Sequence, residues 1–124
     1  MTVSEYQKEA HKFADYPFGL FPAKSDKVEG EVYAKADYLY PALGLAEEAG
    51  EVAGKFAKAI RDADGEIDIG RKLEILKELG DVCWFVAEIA TLMNVSLEDI
   101  MDGNISKLKS RRERGVIHGS GDNR

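Results

Sequence analysis

The stretch Asp62–Asp68, DADGEID, decides how this chain folds. It contains Asp64-Gly65, a turn signal, and it separates two long segments that both carry a helical period. On its N-terminal side, from Pro41 to about Arg61, Leu45, Ala49, Val52, Phe56 and Ile60 recur at steps of four, three, four and four, the apolar stripe of a helix. Pro41 suits a first helical turn, with a short helical lead-in before it as the alternative start. On the other side, from about Arg71 to Met93, Ile75, Leu79, Val82, Val86 and Ile89 mark a second helix. A turn this short between two such helices predicts an antiparallel hairpin.

Two more helices complete the pattern. One runs from about Val3 to Ala14, with Thr2 or Ser4 as cap and Tyr6, Ala10 and Phe13 on one face. The other follows Asn94-Val95, opens on Ser96-Leu97-Glu98-Asp99, which resembles a capping box, and continues to about Arg114. Asp15 to Val32 holds Pro17, Gly19, Pro22 and Gly30 and reads as a long loop. Its Phe18, Leu20 and Phe21 are expected to fold back on the core, with a substrate lid as the alternative. The glycine-containing end, RGVIHGSGDNR, is expected to be a loose terminus, with a lesser expectation that its backbone and Arg124 hold an anion. Without repeat or strand pattern, the class is all-α: an antiparallel bundle of about four main helices in one domain, 1–124.

Composition narrows the function. A chain of 124 residues, 44% hydrophobic and 32% charged, fits one globular domain. A chain of this size buries about two-thirds of its unfolded surface, so oligomerisation is a natural supplement. The run Val82–Ala87, VCWFVA, is apolar on every side of its helix, which predicts a subunit interface as well as a core. The net charge of −6 argues against a nucleic-acid polymer as partner. One cysteine, Cys83, excludes an intrachain disulfide and predicts a buried, inert thiol in a reducing, cytoplasmic setting. No signal-peptide core and no run of membrane-spanning length is present, so a membrane partner is not expected.

Chemistry concentrates on the hairpin. Glu48 and Glu51 are three apart, as are Glu78 and Asp81, so each pair occupies one helix face a turn apart. Facing residues of an antiparallel hairpin have a constant index sum; Glu48 with Asp81 and Glu51 with Glu78 share one, centred between Asp64 and Gly65. Four carboxylates are thus predicted at one height. Glu48 lies at the edge of the apolar stripe, Glu51 just beyond it and Glu47 further out. Two like charges ~5 Å apart at an effective dielectric of ~20 repel by about 3 kcal/mol, so this group requires neutralisation. A charged surface could do it, through Glu51 with Lys55 and Lys77 with Asp81. A divalent cation is favoured because both pairs share one level. All-oxygen ligands point to Mg²⁺ or Mn²⁺ rather than zinc. The Glu-x-x-His of di-iron bundles is missing from both helices.

On the fourth helix Asn104, Lys107 and Arg111 share a face with Leu97, Met101 and Leu108 and should point toward the other helices. Mg²⁺ completes its shell with waters and phosphate oxygens, and a facing lysine and arginine suit a polyphosphate. Dipole complementation is the plainer role for Arg111, and the assigned one for Lys109, Arg112 and Arg114. His11 and His118 have no ligand partner at helical spacing and are not nominated.

Glu47-Glu48-x-x-Glu51, then 26 residues, then Glu78-x-x-Asp81 resembles the EExxE…ExxD pattern of the MazG-like, all-α nucleoside triphosphate pyrophosphohydrolases. LGLAEEAGEV, KELGDVCWFVA, NISKLKSR and GSGDNR occur in family order, so the resemblance covers roughly Leu43 to the end. It implies hydrolysis of a nucleoside or deoxynucleoside triphosphate to the monophosphate and pyrophosphate by water attack at the α-phosphorus. By that similarity Glu48, Glu51, Glu78 and Asp81 bind Mg²⁺, Lys107 and Arg111 hold the phosphate chain, and Asn104 contacts sugar or base. Glu47 is the candidate to orient or deprotonate the water, with Glu48 as the alternative. The resemblance also implies a homodimer or homotetramer. Val82-Cys83-Trp84-Phe85 departs from the leucine, tryptophan and tyrosine common after ELGD, without touching a catalytic position. Two other readings compete: a non-catalytic helical module that a cation stabilises, and the relative that hydrolyses phosphoribosyl-ATP.

Overall fold

The structure, a computed structural model, describes residues 1–16 and 38–124. Among these residues the chain forms four helices and no strand: α1 (Val3–His11), α2 (Leu39–Ala63), α3 (Ile69–Leu92) and α4 (Leu97–Glu113). The expected loop between the first two helices lies almost wholly outside the described residues.

The ends of the helices follow from local chemistry. Thr2 caps α1 by accepting from the Glu5 amide at 3.1 Å, while the Glu5 carboxylate accepts from the Thr2 amide at 2.7 Å, a reciprocal pair that satisfies two otherwise orphan donors. Asp68 accepts from the Arg71 amide at 2.8 Å to open α3, and Ser96 accepts from Asp99 to open α4. Asp64 at φ 50° and Gly65 at φ 84° reverse the chain between α2 and α3. Asn94 at φ 55° ends α3, and α4 leaves it at 104°.

The hairpin has the register expected from its turn. Gly44 of α2 faces Phe85 of α3 so closely that a Cβ on Gly44 would lie 2.2 Å from the ring. Lys55 reaches Glu74 across the pair at 3.6 Å, a contact with the same index sum as Gly44 with Phe85. The small Ala87 and Ala90 of α3 lie with Ala10 of α1 and Leu97 of α4 in a buried cluster, flanked by Val3, Tyr6, Trp84 and Val86. The Trp84 indole N–H donates to the Ala10 carbonyl at 3.0 Å, and Gln7 ties α1 to the α3–α4 connection by donating to Val95 O and accepting from the Leu97 amide. Thus α1 crosses the upper half of α3, and α4 packs on α1 and α3 but not on α2.

Several expectations are corrected. α1 stops at His11, so Phe13 lies beyond it and is exposed. The α2 stripe is not buried as a unit: Phe56 and Ile60 are 46% and 69% exposed, and on α3 Leu79 is exposed too. The physical reason is that two helices bury only the seam between them, while a stripe wider than about 100° needs a third surface. Cys83 is exposed rather than buried. No single helix among the described residues is long and apolar enough to cross a membrane.

Candidate active site

Halfway along the hairpin, Glu48 of α2 and Glu78 and Asp81 of α3 converge. One carboxylate oxygen from each lies within 4.8 Å of the other two. Glu48 and Glu78 are half-buried, and Asp81 opens to solvent. Burial pushes the Glu48 carboxyl above its ordinary range, and the charges of Asp81, Glu78, Glu47 and Glu51 push it the same way. Glu51 is exposed and stands outside the converging trio, close enough for its charge to act on Glu48. Glu47 is exposed on the outer side.

A cation, Lys55, pairs with the trio from two turns beyond Glu48 toward the hairpin end. Its ammonium lies 3.2 Å from Glu78 and 3.6 Å from Glu74, and the Glu78 hydrogen bond holds its pKa above the usual lysine range. Lys55 therefore bridges the two helices, and among the described residues the Glu51–Lys55 and Lys77–Asp81 pairs of the alternative charged-surface reading do not form. A single lysine shared with Glu74 leaves the trio electron-rich. Three convergent hard oxygen donors, one with its proton affinity raised, fit a hard divalent cation by donor chemistry.

The basic residues of α4 form a second group. The Arg111 guanidinium is buried at 5% exposure and turned toward the C-terminal end, where it donates to the Asp122 carbonyl at 2.7 Å and the Asp122 carboxylate at 3.1 Å. Lys107 donates to the same carboxylate at 3.3 Å, and the hydrogen bonds from Arg111 and Lys107 hold the Asp122 carboxyl below its usual range. Arg114 donates to the Arg124 carbonyl at 2.9 Å, a tie to the tail rather than only a dipole contact. The terminus expected to be loose instead folds back along α4, with positive φ at Gly115, Gly119 and Gly121 allowing its turns. Asn104 is exposed on the same helix. Among the described residues, no ion pair joins Lys107 or Arg111 to the acidic trio, in keeping with the absence of α2–α4 packing.

One residue escaped the sequence reading. Glu88 is fully buried, accepts from the Tyr16 hydroxyl at 2.5 Å, and lies 2.9 Å from His11 Nδ1. Tyr16 also stacks on Tyr40 at 5.0 Å and meets Trp84 edge-on. Glu88 thereby anchors the chain after α1 to α3. A lone carboxylate inside the apolar run FVAEIA was the available signal, since a charge there must find partners.

Comparison with known proteins agrees with this arrangement. The sequence model described as the MazG nucleotide pyrophosphohydrolase domain matches residues 39–116, which span α2, α3 and α4. The chain is 42% identical to the gene 37 protein of Mycobacterium phage L5 over 124 residues, the full length of both. It is 40% identical over 75 residues to a protein of Bacillus subtilis strain 168 named Uncharacterized protein YvdC, covering 56% of this chain and 70% of that one. No solved structure matches it. With the domain match covering more than half of its length, the chain belongs to the MazG nucleotide pyrophosphohydrolase family.

Proposed function

We propose that the protein hydrolyses a nucleoside or deoxynucleoside triphosphate to the monophosphate and pyrophosphate, using Mg²⁺ or Mn²⁺. The observation that carries this reading is the convergence of Glu48, Glu78 and Asp81 within 4.8 Å inside a MazG domain. Glu48, Glu78 and Asp81 would hold the cation, with Glu51 a turn away as a further ligand. When bound, the cation supplies Lewis-acid stabilisation of charge on the phosphate oxygens and lowers the pKa of a coordinated water.

The chain's own residues do the rest. Glu47 orients the attacking water and accepts its proton, with Glu48 as the alternative acceptor. The water oxygen forms a bond to the α-phosphorus, the bond from that phosphorus to the oxygen bridging to the β-phosphorus breaks, and pyrophosphate leaves. Lys107 and Arg111 bind the phosphate chain and offset its developing charge, while Asn104 contacts sugar or base. Within one copy no ion pair among the described residues joins Lys107 or Arg111 to the trio, and in this reading the basic residues that complete an acidic hairpin come from a second copy, as a homodimer or homotetramer. The exposed apolar side chains Leu43, Phe56, Ile60 and Leu76 on the hairpin support such an assembly.

Incubation with a panel of nucleoside and deoxynucleoside triphosphates plus phosphoribosyl-ATP, in Mg²⁺, tests the reading. Equal yields of pyrophosphate and monophosphate are expected from at least one nucleoside triphosphate. Turnover of phosphoribosyl-ATP alone would reassign the substrate. Metal-dependent melting without any turnover would favour the non-catalytic module.

A further inference from the structure

The C-terminal loop does more than cover the end of α4. Asp122 sets its carboxylate between Lys107 and Arg111, one helical turn apart, at 3.3 and 3.1 Å. These are the side chains that the proposed reaction assigns to substrate phosphate. We propose that Asp122 is a displaceable mimic of that phosphate: its carboxylate occupies the seat between Lys107 and Arg111, and nucleotide binding expels it. This inference rests on the phosphate assignment above and adds a regulatory contact to the same site.

Three features favour an exchangeable contact over a structural one. First, the two partners differ in freedom. Arg111 is fixed by burial, whereas the Asp122 side chain is 82% exposed and can rotate away without leaving a cavity. Second, the loop is held independently of that carboxylate. Arg111 also donates to the carbonyls of Asp122 and Gly121, Arg114 to the carbonyl of Arg124, and Arg124 to the carbonyls of Gly121 and Ile117. Swinging the carboxylate out leaves these backbone contacts in place. Third, the seat has more donor capacity than one carboxylate uses. The Lys107 side chain is 40% exposed, and its ammonium has donors beyond its single bond to Asp122. A phosphate group brings more acceptor oxygens and more charge than a carboxylate, so exchange in its favour improves both hydrogen bonding and electrostatics.

Calorimetric titration of the full-length, chelator-treated protein with inorganic pyrophosphate tests this directly, since it removes metal from the balance. Asp122→Asn keeps the shape of the side chain and one acceptor while removing the competing charge. It should bind pyrophosphate about three- to tenfold more tightly than wild type, the scale of losing two ion pairs made by an exposed carboxylate as competitors. Asp122→Ala should shift in the same direction, and both variants should melt as cooperatively as wild type. Unchanged or weaker binding by Asp122→Asn would overturn the mimic. Lys107→Ala separates this from failure of the underlying assignment. If Lys107→Ala weakens pyrophosphate binding while Asp122→Asn does nothing, only the mimic falls. If Lys107→Ala also has no effect, the basic pair is not the phosphate seat and both readings fall.

Discussion

Glu48 carries the strain of the site. Its carboxyl pKa is raised, by burial first and then by Asp81, Glu78, Glu47 and Glu51, so the folded chain binds its proton more tightly than the unfolded chain does. For a raised group the stability contribution is complete below the ordinary glutamate value and is lost as pH rises through the folded value. Metal-free protein should therefore lose stability as pH rises through that window, and Glu48→Gln should relieve the loss. Thermal melts in chelator should show Glu48→Gln a few degrees more stable than wild type at about pH 7, with the gap closing at about pH 3. A gap that persists at acid pH would mean that the glutamine acts through packing instead. Gly44 makes a sharper residue-scale case. An alanine there would push its Cβ to 2.2 Å from the Phe85 ring, so the ring or the helix must shift. Overpacking of this kind costs about 2 kcal/mol or more, near 8 °C in Tm for a chain this size, and a melt of Gly44→Ala measures it. The crowding at Glu48 is legible in sequence, from the shared level of the two acidic pairs, whereas Gly44 looks only like a helix-weakening residue.

At the scale of elements, the hairpin was the legible part. The Asp64-Gly65 turn fixed the register in advance, which is why the carboxylate level could be placed from sequence and why Gly44 meets Phe85 where the same index sum puts them. All four helices were anticipated to within a few residues of their ends because stripes and caps are local signals. What escaped depended on contacts between segments far apart in sequence. The burial of Glu88 needs His11 and Tyr16, more than 70 positions away. The ordering of the tail needs Lys107, Arg111 and Arg114 to gather its carbonyls and Asp122, which no local pattern announces. Glu51, expected among the ligands from its spacing, its level on the hairpin and the family pattern, is exposed beside the trio, near enough for its charge to act on Glu48.

At the scale of the whole molecule, no ion pair among the described residues joins Lys107 or Arg111 to the acidic trio within one copy. In the function proposed above the two meet across a second copy, which would sit on the exposed apolar side chains along α2 and α3. Sedimentation or light scattering should report a dimer or larger, and Phe56→Glu with Ile60→Glu should dissociate it and lower activity together, because the site is shared. A monomeric wild type with full turnover would contradict that assembly. The central claim is that the convergent carboxylates of the hairpin support pyrophosphate release. Its most direct test is the initial rate of pyrophosphate release from the best nucleotide in Mg²⁺, compared between wild type and Asp81→Asn. Asp81 is solvent-facing, so its replacement should leave the fold intact while cutting the rate by roughly 100-fold or more. An Asp81→Asn protein that releases pyrophosphate at the wild-type rate, or a wild type that releases only orthophosphate, would contradict the account.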